Sequence, residues 1–298
     1  MSPTIRQVLH ETIAAFHQAH IDSPALTARM VLAQALGRPR EWLVAHDDFA
    51  LDESHTARIA ASIGRVLAHE PLAYILGHRE FYNIDLLVDP RVLIPRPETE
   101  ILVDLALEHL RTQSAADAGS GGRRAGVIDV GTGSGAIAIA VCRNDQRVRV
   151  LATDISRRAL ELARQNARRC GCDERIQFVE CDLLESLDVQ ADVITANLPY
   201  VTVEEIEALP PEIQEHEPRV ALDGGLDGLQ LVRRLLRQLG THLRPAGLAV
   251  FEIGATQGSA ALEAAQNMLP GWNAVLRKDL AGLDRVLAVQ KTGRRITR

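Results

Sequence analysis

The chain has 298 residues, a formal net charge of −6, 46% hydrophobic and 24% charged residues, enough for one large domain plus a smaller one around ordinary globular cores. Its acidic balance supplies no global basic field, which argues against autonomous nucleic-acid binding. No apolar run approaches the roughly 20 residues needed to span a bilayer, and the N-terminal stretch MSPTIRQVLHETIAAFHQAH lacks an apolar signal core.

Residues 1 to about 70 read as helices. Ile5, Val8, Leu9, Ile13 and Phe16 recur at three- and four-residue steps, one face of an amphipathic helix. Ser23-Pro24 predicts an N-cap with proline at the first helical position, and Gly37-Arg38-Pro39 closes that segment. A further helix is predicted from near Asp52 to about His69. The module holds no catalytic constellation of its own.

From Pro71 to Glu100 the pattern changes. Alternation from Phe81 to Val88 predicts a β-hairpin, and Pro90, Pro95 and Pro97 stiffen the segment after it. A helix is predicted from Glu98 to Leu110, and the Gly-rich SAADAGSGGRRAG after it as a flexible surface loop. Apolar runs at 127–130, 148–153, 176–180, 191–196, 248–253 and 284–289 then alternate with helical patterns at about 134–144, 156–170, 226–240 and 256–269. Such alternation implies an α/β fold, a mainly parallel sheet with helices on both faces. The short basic tail, Lys291, Arg294, Arg295 and Arg298, reads as a solvated terminus. Cys142, Cys170, Cys172 and Cys181 include one C-x-C pair with no second pair or neighbouring histidine. Reduced thiols in a soluble cytoplasmic protein are therefore expected, without a metal site.

VIDVGTGSGAIAIA places Gly131, Thr132, Gly133, Ser134 and Gly135 between a strand and a helix. Glycines let the backbone approach a ligand closely, and the helix start presents unpaired N–H groups and a partial positive charge. A tight strand–helix turn would also explain the loop alone. Asp154, at the end of the next apolar run and 19 positions beyond Gly135, could accept both hydroxyls of a ribose. Asp182 closes the third run, where it suits an adenine edge or simply starts a helix. Together the loop and Asp154 point to a nucleoside-containing cofactor.

The fourth run, ADVITA, delivers Asn197-Leu198-Pro199-Tyr200 to the C-terminal edge of the sheet, where open α/β sheets hold their ligands. The Asn197 side-chain carbonyl and the Leu198 backbone carbonyl, fixed by the following proline, offer two acceptors for a planar NH2 group. Tyr200 could cover that group's face. Methylation of an amide or exocyclic amine suits this set, because orientation and hydrogen bonding compensate for a delocalised lone pair.

The set LIPRPETE, DVGTGSGAIAIA, ATDIS, NLPYV, EPRVALDGGLDGL and LAVFEIGATQG resembles the HemK/PrmC family, the release-factor glutamine methyltransferases, over nearly the whole chain. The resemblance implies a class I S-adenosylmethionine-dependent methyltransferase: a Rossmann-like, mainly parallel seven-stranded sheet with a small N-terminal helical domain. It implies domains at 1–72 (helical, substrate-docking), 73–95 (hairpin linker) and 96–298 (catalytic). The expected reaction moves a methyl group from S-adenosylmethionine to the side-chain amide nitrogen of the glutamine in the Gly-Gly-Gln motif of peptide-chain release factors. By similarity, Gly131 to Gly135, including Thr132, Gly133 and Ser134, would line the methionine part, Asp154 the ribose, and Asp182 and Leu183 the adenine. Asn197, Leu198, Pro199 and Tyr200 would hold the substrate glutamine. Asn197, Pro199 and Tyr200 would be catalytic, with Asn197 at the cofactor too. Arg96, Pro97 and Glu98 would shape the cofactor pocket. A monomer without membrane attachment or stable nucleic-acid binding is expected.

Two positions depart from the family pattern. The usual motif is Asn-Pro-Pro-Tyr, and Leu198 stands where its first proline would be. Asn-Leu-Pro-Tyr is also the form found in ribosomal-RNA adenine dimethyltransferases. Position 183, often aromatic, is Leu. A ribosomal-protein glutamine methyltransferase and an RNA adenine methyltransferase therefore stand as alternatives. A nicotinamide dehydrogenase would fit the glycine loop but leave Asn197 to Tyr200 unexplained.

Overall fold

The computed structural model describes residues 2–116 and 125–291. Two compact units divide the chain: Met1–His78 with Pro210–His216, and Arg79–Leu209 with Glu217–Arg298. Arg294, Arg295 and Arg298 of the basic tail lie outside the described residues, as do 117–124 of the Gly-rich stretch.

The first unit is helical: α1 (Ile5–Gln18), α2 (Pro24–Leu36), α3 (Arg40–Ala45), α4 (Glu53–Leu67) and α5 (Leu72–Leu76). Thr4 and Gln7 form a reciprocal capping box at α1, and Asp52 caps α4 through the His55 amide; each cap satisfies amides the helix cannot. Ile5, Leu32, Leu43, Leu51 and Ile59 close one apolar cluster, and Phe16, Ala28, Val31, Val66 and Ile75 a second. Ser23 precedes the helical proline as expected, but it sits at φ 48° and its side chain makes no cap hydrogen bond. Gly37 ends α2 in the left-handed region.

β1 (His78–Phe81) starts at the boundary between the units, and with β2 (Ile84–Leu87) it forms the hairpin. Its two-residue turn, Tyr82-Asn83, has both residues at positive φ, which matches the twist of the strands. A single 3-10 turn, Pro97–Thr99, leads into α6 (Glu100–Ala116), which runs past the predicted end at Leu110 and takes up residues 114–116 of the expected loop. The next elements are β3 (Gly126–Val130), α7 (Ala136–Asn144), β4 (Arg149–Asp154), α8 (Arg157–Arg169), β5 (Ile176–Glu180), β6 (Ala191–Ala196) and the short α9 (Val203–Glu207). The chain passes through α10 (Pro211–Gln214) of the first unit before α11 (Gln230–His242), β7 (Leu243–Glu252), α12 (Gly258–Met268), β8 (Asn273–Lys278) and β9 (Asp284–Gln290).

The seven-stranded sheet has the order β5-β4-β3-β6-β7-β9-β8. Strands β5, β4, β3, β6 and β7 are parallel, whereas β9 runs antiparallel to both neighbours. Alternation sends Val250, Val286 and Ala288 to the face that carries α6 and α7. Phe251, Leu287 and Val289 go to the face that carries α11 and α12, as a period of two requires. The six runs read from the residues are strands, and β8 completes the sheet as an edge. Its residues NAVLRK are exposed at both ends with no fully buried position, so no apolar rhythm marks it. Helix α11 starts at Gln230 rather than 226, because Gly225 and Gly228 hold positive φ in a loop. Among the described residues, no helix is long and apolar enough to cross a membrane.

Candidate active site

Strand order reverses between β3 and β6, and the carboxyl ends of β3, β4, β5 and β6 converge there. Leaving β3, Gly131, Gly133 and Gly135 all adopt positive φ, which only glycine accepts without strain. The Thr132 amide donates to the Thr153 carbonyl at 2.9 Å and the Gly135 amide to the Thr132 carbonyl at 2.8 Å. These bonds fold the loop back over β4. A Cβ on Gly131 would stand 3.2 Å from Leu198 Cδ2, and one on Gly135 would stand 3.1 Å from Ile139 Cδ1 and 3.3 Å from the Ala163 Cβ. Gly135 thus allows α7 to press against α8.

Beneath the loop, Asp129 is buried and accepts hydrogen bonds from the hydroxyls of Thr132 at 2.6 Å and Thr195 at 2.8 Å. Burial pushes its carboxyl up to about 6, against the pull of those bonds. Asp154 accepts from the amides of Gly133 at 2.9 Å and Ser156 at 2.8 Å. Burial raises this carboxyl too, and the two amides oppose the rise. Asp182 pairs with Arg234 at 2.9 Å, and the same guanidinium reaches Glu185 at 2.9 Å. Leu183 holds φ 53°, and its carbonyl accepts from the Thr153 hydroxyl at 3.1 Å.

These strand ends surround a cavity of about 550 Å³, within the usual range for a small-molecule site. Gly131, Thr132, Gly133 and Ser134 form one wall, Asp154, Asp182 and Leu183 another, and Asn197, Leu198 and Pro199 a third. Gly135, Tyr200, Arg96, Pro97 and Glu98 are not part of its wall, whereas Pro95 and Thr99 are.

Strand β6 is buried along its whole length, so Asn197 emerges from a rigid base. Its side-chain NH2 donates to the Thr99 hydroxyl at 3.0 Å, and that hydroxyl donates to the Glu252 carboxylate at 2.6 Å. The Tyr200 hydroxyl donates to the other Glu252 oxygen at 3.2 Å. Glu252 is buried, and desolvation holds its carboxyl above the usual carboxylate range. Burial raises the Tyr200 phenol as well, with the Glu252 charge adding to it. The Leu198 side chain is buried in the same apolar cluster as Ile128, Val130 and Leu183.

Backbone contacts clamp the turn from outside. The Val201 amide donates to the Leu222 carbonyl at 3.0 Å and the Gly224 amide to the Val201 carbonyl at 2.9 Å. Gln257 donates to the Tyr200 carbonyl at 2.7 Å and accepts from the Gly254 amide at 2.9 Å. Upstream, the buried Glu217 carboxylate takes the Arg96 guanidinium at 2.5 Å and the Ile94 amide at 3.2 Å. Arg96 thereby braces the segment behind Pro95.

Sequence reasoning assigned no role to Thr99, Glu252, Glu217 or Gln257. A signal existed for Glu252, the carboxylate that interrupts the apolar run LAVFEIG. Thr99 and Glu217 fall within the segments LIPRPETE and EPRVALDGGLDGL, but their partners lie 153 and 121 positions away respectively.

The profile of the PrmC N-terminal domain matches residues 7–77, and that of the Methyltransferase small domain matches residues 101–216. The release factor glutamine methyltransferase of Moorella thermoacetica is 38% identical over 283 residues, covering 95% of this chain and 96% of the relative. The chain belongs to the release factor glutamine methyltransferase family. The family member from Nitratidesulfovibrio vulgaris is 36% identical over 97% of this chain and 95% of its own length. Among solved structures, the hMettl16 catalytic domain in complex with the MAT2A 3'UTR hairpin 6 has a TM-score of 0.56 at 16% identity. The match covers 76% of this chain and 83% of that one. At that identity the likeness concerns the fold, which is that of the class I S-adenosylmethionine-dependent methyltransferases.

Proposed function

We propose that this chain transfers a methyl group from S-adenosylmethionine to the side-chain amide nitrogen of the glutamine in the Gly-Gly-Gln motif of peptide-chain release factors. One observation carries the reading: Asn197 stands in the cavity wall with its NH2 committed to Thr99, which leaves its carbonyl oxygen for an incoming N–H. S-adenosylmethionine supplies the electrophilic methyl group when bound. The cavity suits such a molecule, because Gly131 and Gly133 bring bare backbone to its edge. The Asp154 carboxylate, with roughly four acceptor positions, spends two on Gly133 and Ser156 and keeps others for a ribose hydroxyl pair. Asp182 and Leu183 would face the adenine.

Asn197 Oδ1 and the Leu198 carbonyl would accept the two N–H bonds of the substrate amide. That arrangement favours accumulation of electron density on a nitrogen whose lone pair is delocalised. Fixing it in line with the methyl group contributes about 7 kcal/mol or more to lowering the barrier. Pro199 stiffens the turn, and Tyr200 backs it through Glu252. We assign residues 1–72 to docking of the protein substrate, 73–95 to a linker and 96–298 to catalysis, in the cytoplasm.

The test is methyl transfer from labelled S-adenosylmethionine to purified release factors, ribosomal proteins and ribosomal RNA in parallel, with the modified residue mapped by mass spectrometry. Label on the Gly-Gly-Gln glutamine is expected. Label confined to a ribosomal protein or to RNA adenine would replace this reading.

A further inference from the structure

We infer that Thr99 and Glu252 are positioning residues: the Glu252 carboxylate, acting through the Thr99 hydroxyl, decides which end of the Asn197 amide faces the substrate. The inference rests on the proposed role of Asn197 as an amide acceptor, and it explains how that role is enforced.

Hydrogen-bond polarity fixes the orientation. Both Glu252 oxygens accept hydroxyl protons, Oε2 from Thr99 and Oε1 from Tyr200, and a threonine hydroxyl has a single proton to give. The Thr99 hydroxyl lies 2.6 Å from Glu252 Oε2, so its proton is committed there. Toward Asn197, 3.0 Å away, the Thr99 oxygen can then only accept, and the amide must present its NH2. Turned over, Asn197 would set its carbonyl oxygen against an oxygen with no proton left to share. The chain of bonds therefore leaves Asn197 Oδ1, which takes no hydrogen bond from any described residue, as the polar atom available at the cavity. A substrate NH2 finds an acceptor there, and a substrate carbonyl or carboxylate finds repulsion.

Register brings the three groups together. Strands β6 and β7 pair in parallel with Ala196 opposite Phe251, so Asn197 and Glu252 leave the sheet side by side. Thr99, itself buried, enters from the turn before α6. Glu252 is not part of the cavity wall, so it acts through its neighbours. Its second oxygen takes the Tyr200 hydroxyl at 3.2 Å, which ties both ends of the Asn-Leu-Pro-Tyr turn to one carboxylate. Burying a carboxyl group is costly unless its polar atoms are paired, and here both oxygens are.

The experiment uses the full chain, a release factor as methyl acceptor, and calorimetric titration with S-adenosylmethionine. Thr99→Val keeps the shape and removes the hydroxyl. It is expected to lower kcat about tenfold or more, the scale of one misdirected polar group, while cofactor affinity stays within about twofold. Thr99→Ser, which restores the hydroxyl, is expected to recover most of the loss. In an Asn197→Ala background, Thr99→Val should cost nothing further, because the group it aims is gone. If Thr99→Val does not fold, Glu252→Leu gives the same reading: a side chain of similar size that accepts nothing frees the Thr99 proton for the Asn197 carbonyl, and kcat should fall while cofactor affinity stays within about twofold. Normal turnover in the variant that is read, a Thr99→Ser chain as impaired as Thr99→Val, or additive losses in the double variant would each overturn the inference. Normal turnover of Asn197→Ala alone is a separate outcome and would overturn the amide-acceptor reading beneath it.

Discussion

Gly224 is pressed against Pro199: a Cβ there would lie 2.7 Å from the Pro199 carbonyl oxygen and 2.7 Å from the Tyr200 Cα. The obstructing atoms are backbone and cannot swing aside. The loop that carries Gly224 also hydrogen-bonds with Val201 in both directions, so it forms the outer wall of the Asn-Leu-Pro-Tyr turn. Gly224→Ala is expected to force the two segments apart, destabilise the protein by about 1–3 kcal/mol, and lower methyl transfer more than cofactor binding. Urea denaturation and turnover measured side by side would check this. An unchanged midpoint together with unchanged turnover would mean that the clamp yields freely.

Asp154→Ala should weaken S-adenosylmethionine binding about tenfold to a hundredfold, the loss expected for hydrogen bonds to a charged acceptor. Two effects add: the proposed ribose partner disappears, and the Gly133 amide loses the oxygen that holds its loop at 2.9 Å. Isothermal titration reads both together. A dissociation constant that does not move would remove Asp154 from the cofactor site.

Glu217→Ala unties two groups at once, the Arg96 guanidinium and the Ile94 amide. Arg96 can turn to solvent, but the segment that brings Pro95 into the cavity wall loses its anchor. A stability loss of about 1–3 kcal/mol is expected, with weaker cofactor binding in proportion. Thermal denaturation with and without S-adenosylmethionine would show it, and equal melting temperatures for variant and parent would refute the anchoring role.

Asp129 makes stability depend on pH. Its folded carboxyl is raised from 3.8 to about 6, a shift worth about 3 kcal/mol. A raised carboxyl favours the fold fully below the unfolded value, and that contribution disappears as pH rises through about 6. Relative to Asp129→Asn, which does not titrate, the parent should therefore lose about 3 kcal/mol between pH 3 and pH 7. Denaturation curves at a series of pH values for both proteins would measure the difference, and parallel curves would contradict the assignment.

The features legible in the residues were those whose physics is local. Glycines between a strand and a helix can take turns that a side chain would forbid, and Gly131, Gly133 and Gly135 all hold positive φ; the helix predicted from near Asp52 starts there, with Asp52 as its cap. The strand–helix alternation likewise set the parallel sheet and brought Asp154, Asp182 and Asn197 to one edge. Ser23 shows the limit even of local signals. The residue type and spacing suit a cap, yet its backbone turned left-handed and its hydroxyl caps nothing.

Tertiary structure decided what the functional side chains are bonded to. Sequence alone determined that the chain folds as this kind of sheet, that a glycine loop links its first strand to a helix, and that an Asn-Leu-Pro-Tyr turn ends the fourth strand. It could not determine which way the Asn197 amide points. That depends on Thr99 and Glu252, two residues 153 positions apart that meet only because β7 lies beside β6 and the turn before α6 packs onto both. A hydrogen bond's direction is set by where its neighbours' protons go, and those neighbours are chosen by packing rather than by proximity in the chain. Leu198 makes the same point from the apolar side. In sequence it is a departure from a motif, whereas in the fold its side chain fills the space against Gly131 while the residue keeps its place in the cavity wall.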